Sequence, residues 1–173
     1  MSRLTTMSAG ALQAVFAQET ENDLILLVTV YDPLNPSQAV LQICDGFTKR
    51  ISETADQVTY GVTSRGVDYI FLPVDITLPD EAENSAPQCS ITFYDVTQYV
   101  MPVARSITAR PKVKLELVLT STPDIVEASF NGFYITNFTY NVDRVTANLS
   151  MVNYEVEPFP QYSFTPVYFP GLF

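Results

Sequence analysis

The chain has 173 residues, 47% hydrophobic and 16% charged, with 19 Asp and Glu against 9 Lys and Arg for a formal charge of -10. That balance lacks the basic footprint that binding a phosphate backbone needs, and the absence of histidine removes the commonest general base, metal ligand and activator of nucleophiles. A single domain burying roughly 70% of its unfolded surface suits this length, and so apolar a composition leaves surface for partners to cover.

In chain order, Ser8 can cap a helix over residues 9–20, with Leu12, Val15 and Phe16 on one face at helical spacing. Residues 23–31 form a near-continuous β-rich run that reads as a buried strand, closed by the turn chemistry of Asp32-Pro33 and Asn35-Pro36. Residues 40–44 give a second strand, and Asp45-Gly46 a tight turn before Thr48. A strand pair follows over residues 57–62 and 67–72, and Pro73 and Pro79 restrict residues 74–78 to an edge or the start of a strand. Cys89, Ile91 and Phe93 alternate on one face of a half-buried strand.

Asp95 or Thr97 can cap a second helix to about Ile107, with Pro102 in its early turns where fewer donors are lost. Residues 112–120 are the cleanest amphipathic strand, with Val113, Leu115, Leu117 and Leu119 inward and Lys112, Lys114 and Glu116 outward. Period-two patterning continues to Val152: Phe133 and Ile135 share a face with Asn131, Val145, Ala147, Leu149 and Met151 share another, and a hairpin bend falls at residues 141–144. Eight or more short strands, two helices and no βαβ alternation give a mainly β class, a β-sandwich or split β-barrel with an extended C-terminal segment. The organisation reads as a helical lead-in over residues 1–22, a β domain over 23–154 and a docking segment over 155–173.

That last segment carries Pro158, Pro160, Pro166 and Pro170, so it cannot run as a helix or a central strand. Phe159, Tyr162, Phe164, Tyr168, Phe169, Leu172 and Phe173 make it too apolar for a solvated tail. It is expected to dock either on its own domain or on a neighbouring subunit, for example by strand addition.

The other candidate sites weigh towards plain structure. Asp68, Asp75 and the acidic loop with Asp80, Glu81 and Glu83 lack the spacing and glycine of a calcium loop, and read as solvated carboxylates. Cys44 and Cys89 lie in separate apolar runs and read as small buried hydrophobes, a cross-strand disulfide being the alternative. The sequons at Asn137 and Asn148 need a secretory route, and no signal peptide is evident. The longest aliphatic run, residues 23–31, is far shorter than the roughly 20 residues of a membrane helix, so the chain is expected in the cytoplasm until it assembles, without membrane insertion. No catalytic residue, metal site or cofactor is assigned.

The order of landmarks resembles the minor tail proteins of tailed bacteriophages. The resemblance rests on Leu24-Ile-Leu-Leu-Val-Thr-Val-Tyr-Asp-Pro33, Val74-Asp-Ile-Thr-Leu-Pro-Asp80 and Ile91-Thr-Phe-Tyr-Asp-Val96. It continues in Val113-Lys-Leu-Glu-Leu-Val-Leu-Thr-Ser-Thr-Pro-Asp124, Glu157-Pro-Phe-Pro160, Phe164-Thr-Pro166 and Phe169-Pro-Gly-Leu-Phe173. It implies a structural component of the virion at the tail tip, a distal-tail or hub-adjacent ring of six or three copies that contacts the tail tube and hub proteins. Two other classes stay open. One is a carbohydrate-binding module or carboxylate hydrolase at the tail tip that would use Tyr60, Tyr69 and Tyr94 as stacking platforms. The other is an assembly factor absent from finished particles.

Overall fold

The computed structural model describes residues 7–35, 38–55, 57–77, 88–94, 99–107, 109–141, 144–151 and 170–172. It is mainly β and sandwich-like, built on one ten-stranded sheet that does not close.

Leu24–Tyr31 forms β1, whose run of aliphatic and β-branched residues suits a strand covered on both faces. Residues 25–30 are all buried. On one face Leu26, Val28 and Val30 join a large core with Leu115, Ile91, Phe133, Val145 and Leu149. On the other, Ile25 and Leu27 meet Cys44, Val62, Tyr69 and Val118 in a smaller cluster. Strands β2 (Ala39–Cys44) and β8 (Lys112–Leu119) flank β1, both antiparallel to it.

The remaining strands are β3 (Lys49–Glu53), β4 (Val58–Ser64), β5 (Val67–Phe71), β6 (Val74–Thr77), β7 (Gln88–Phe93), β9 (Val126–Tyr140) and β10 (Val145–Met151). Their order is β3-β4-β5-β2-β1-β8-β9-β10-β7-β6. Every pair is antiparallel except β2 with β5. β5 and β6 are consecutive, joined through Leu72-Pro73, so one extended run pairs with β2 at its start and with β7 at its end. Leu72 N–H donates to the Cys44 carbonyl (3.0 Å), and Tyr94 N–H to the Pro73 carbonyl (3.0 Å). This run draws the two flanks of the sheet together over the large core. Pro73 sits at the crossover, and β6 lies at the edge of the sheet, one of the two places read for it from the sequence.

Helix α1 (Ala9–Phe16) is shorter than expected because Ala17 leaves helical geometry (ψ 141). Ser8 caps it as anticipated, its Oγ accepting from Ala11 N–H at 3.1 Å. Its seat differs from the expected apolar face: Ala11 is the buried residue, while Val15 and Phe16 are 45% and 75% exposed. The Glu127 carboxylate fixes the helix start by accepting from Ser8 N–H (2.7 Å) and Oγ–H (2.8 Å). Helix α2 (Val100–Ser106) places Pro102 in its first turn, where a missing donor costs little. The proposed caps Asp95 and Thr97 lie outside the described residues.

Two further expectations are corrected. Glu116 does not point to solvent but is 3% exposed, because β4 and β5 cover the second face of β8. Asn131 and Phe133 do not share an environment: Phe130 and Phe133 are both buried and Asn131 is exposed. The pairing register of β9 with β8 shifts there, and Gly132 takes a left-handed φ of 88° that absorbs the extra residue. The hairpin bend after β9 is where the sequence places it, with Asn141 N–H donating to the Arg144 carbonyl at 2.8 Å.

Candidate functional site

Of the expected docking residues, Leu172 belongs to a short 3-10 turn, Pro170–Leu172. Phe159, Tyr162, Phe164, Tyr168, Phe169 and Phe173 lie outside the described residues, as do Asp80, Glu81 and Glu83. The proposed carboxylate grouping is not assembled by the remaining two. Asp68 on β5 accepts from the Thr63 hydroxyl, and Asp75 on β6 accepts from Tyr94 Oη–H at 2.6 Å. Seven positions of extended chain set them roughly 20 Å apart. Among the described residues no group of three or more His, Cys, Asp or Glu is placed to hold a metal ion, and no helix is long and apolar enough to cross a membrane.

Both cysteines are buried thiols in different clusters rather than a disulfide. Burial pushes Cys44 up to about 12 and Cys89 up to about 11, which leaves neither a nucleophile near neutral pH.

The conspicuous buried charge is Glu116. Arg65, at the tip of the β4–β5 hairpin, grips it with both guanidinium nitrogens at 3.1 and 2.7 Å, and Lys114 Nζ lies 2.8 Å from the same carboxylate. Burial alone would raise the Glu116 carboxyl, but the hydrogen bonds from Arg65 and Lys114 outweigh it and hold it below the usual glutamate range. Arg65 N–H also donates to Asp124 Oδ1 (2.6 Å), and Ser64 Oγ–H to the Pro123 carbonyl (2.7 Å). With its carboxylate paired on both sides, this network fastens the hairpin across the sheet and offers no acid or base to a substrate.

A cavity of about 200 Å³ lies between α2 and the sheet, walled by Val30, Phe93, Val103, Ile107, Phe138 and other apolar side chains. It has room for a small apolar group and no side chain to polarise one.

A cluster of exposed aromatic rings lies where the segment after β2 meets β4 and β5. The Phe47 ring, 54% exposed, packs 5.4 Å from the Tyr60 ring and 5.0 Å from the Phe71 ring. Tyr60 is 46% exposed, and beside it Val58, Thr59, Phe71 and Tyr99 line a shallow depression of about 240 Å³. Arg50 is the β3 partner of Tyr60 in the ladder, and Lys49 precedes it, both exposed. The sequence missed this cluster because its rings come from three separate segments. Of the three tyrosines considered as sugar platforms, Tyr69 is 4% exposed inside the smaller cluster. Tyr94 is bonded to Asp75 with the Arg144 guanidinium 5.8 Å from its ring centroid, so of those three tyrosines Tyr60 is the one that belongs to this patch. What the arrangement can do chemically is bind: rings held on strands, with cations at their border, form the centre and rim of an interface.

No family model, curated protein or solved structure matches the chain.

Proposed function

We propose that the chain is a non-enzymatic structural component of a phage tail tip, a distal-tail or hub-adjacent subunit that self-assembles and links the tail tube to the tip and its receptor-binding apparatus. The observation that carries the assembly part is the aromatic surface of Phe47, Tyr60 and Phe71 on ordered strands. Rings already fixed by the sheet lose little further freedom when a partner covers them, so their burial yields a large share of its area as affinity. The tail itself rests on the sequence resemblance from Leu24 to Phe173, and a charge of -10 argues for protein rather than nucleic-acid neighbours.

Light scattering of the purified protein and immunolabelling of virions test the reading. A closed oligomer and label at the tail tip are the expected results; a strict monomer absent from particles overturns it. Deletion of residues 159–173 then asks where the terminal segment docks. A truncated protein that folds but does not assemble assigns it to a neighbour, and one that unfolds assigns it to its own domain.

A further inference from the structure

The chain contains no Lys or Arg between Arg3 and Lys49, and Lys49-Arg50 is its one adjacent basic pair. The acidic stretch is also where α1 leaves its apolar side in water. Val15 and Phe16 are exposed, and Glu19, Glu21 and Asp23 follow, all exposed and without an ion pair among the described residues.

This is not a fraying terminus. Glu127 holds the start of α1 through Ser8, and the Asp23 carbonyl accepts from Thr120 N–H (3.0 Å) and Oγ–H (2.6 Å) at the far end. Both ends of the connection are therefore tied to the sheet, and Phe16 is presented rather than loose.

The second half has the opposite charge. Phe47 and Tyr60 pack at its centre with their rings tilted by 50°, and Arg50, the ladder partner of Tyr60, borders them on the edge strand β3 with Lys49 next to it in the chain. Among the described residues Arg50 pairs with Glu53, at 2.7 Å with both side chains 56% exposed, an arrangement water screens heavily. The two halves are neighbours, since Asp23 and Phe47 line one depression. Yet no ion pair joins the acidic residues to Lys49 or Arg50 among the described residues.

We infer that this face is a self-association surface. The occupant of the Phe47–Tyr60 patch is the Val15–Phe16 side of α1 from a second copy, with Glu19 and Glu21 of that copy opposite Lys49 and Arg50. The matching is twofold: exposed apolar groups meet exposed rings, and the acid-only stretch meets the basic pair of a chain whose net charge is otherwise strongly negative. Charge sets the register of the contact and the rings supply its affinity. The inference rests on the assembly reading above and names the surface that performs it.

A charge-swap experiment decides it. The double variants Lys49→Glu with Arg50→Glu, and Glu19→Lys with Glu21→Lys, change only exposed side chains, so each keeps the far-UV circular dichroism and thermal midpoint of the parent. Light scattering is read at about 0.15 M salt, where the Debye length is about 8 Å. Each variant alone should self-associate about a hundredfold more weakly than the parent, because like charges then face each other across the contact. An equimolar mixture should re-associate, since opposite charges face each other wherever one variant meets the other.

A variant that assembles like the parent, or a mixture that stays dissociated, overturns the assigned surface while leaving tail-tip assembly standing. A parent protein that is itself monomeric and missing from virions removes both.

Discussion

β1 separates two unequal clusters, and they are held in different ways. On one side Leu26, Val28 and Val30 face the large core of β7, β8, β9, β10 and α2, where Phe133, Ile91 and Leu115 are almost fully buried. On the other, Ile25 and Leu27 face a small cluster covered, among the described residues, mainly by the β4–β5 hairpin. The large cluster is apolar throughout. The small one is rimmed by directional bonds: Arg65 and Lys114 to Glu116, Ser64 to Pro123, Arg65 to Asp124, and the hydroxyls of Thr29 and Tyr69 within 3.2 Å. At about 25 cal/mol per Å² a broad core needs no polar ties, whereas a two-stranded flap buries too little to stay put on area alone.

The largest effect should come from hollowing the large side. Phe133→Ala removes a ring that is 1% exposed and should cost about 4 kcal/mol in urea denaturation. On the flap side, the most damaging single change adds an atom. A Cβ on Gly61 would lie 1.9 Å from the Tyr69 carbonyl oxygen and 2.5 Å from Ile51 Cδ1, so β4 cannot keep its register against β5. Gly61→Ala should cost about 3 kcal/mol. A loss below about 1 kcal/mol there would mean that the hairpin slides freely and that the contrast between the clusters is overstated.

Next comes the ion pair. Arg65→Met strips Glu116 of its two-pronged partner, leaving a carboxylate that is 4% exposed with Lys114 alone. A fully buried pair broken this way loses more, but the Arg65 side chain is 40% exposed, so about 2 kcal/mol is expected after discounting for solvent. The pH dependence has a definite sign. Because the folded carboxyl is held below its ordinary value of 4.5, the stabilisation is complete above that pH and is lost as pH falls through the folded value. The gap between parent and variant should thus be constant near neutrality and narrow in acid. A gap that widens towards acid would mean that the pair does not stabilise the charged form.

The difference between the clusters also explains what could be read in the sequence. Strands of the large core follow local rules, so Cys89, Ile91 and Phe93 show their buried face by alternation alone, and Pro73 announces the edge. The small cluster is long-range. Glu116 reads as an outward charge because β8 alternates cleanly, and only the hairpin lying across it turns that position inward. Tyr69 reads as a candidate platform for the same reason. The Phe47–Tyr60–Phe71 surface is assembled by strand pairing between segments whose register no local pattern specifies. Gly132 hides its bulge in a strand that otherwise counts by twos.

The finest distinction uses the two thiols as reporters, one in each cluster. With Cys44 pushed up to about 12 and Cys89 up to about 11, neither should react with an aromatic disulfide reagent at pH 8 until local opening exposes it. Tyr69→Phe deletes the hydroxyl contact with Thr29 (3.2 Å) while keeping the ring and the carbonyl that Cys44 Sγ–H donates to (3.3 Å). One buried hydrogen bond is worth about 1 kcal/mol. If the flap opens as its own unit, Cys44 should label about fivefold faster in this variant, at about 1.4 kcal/mol per tenfold, while Cys89 keeps its parental rate. Equal acceleration of both thiols would show that β1 does not divide the domain and that the hairpin and the large core unfold together.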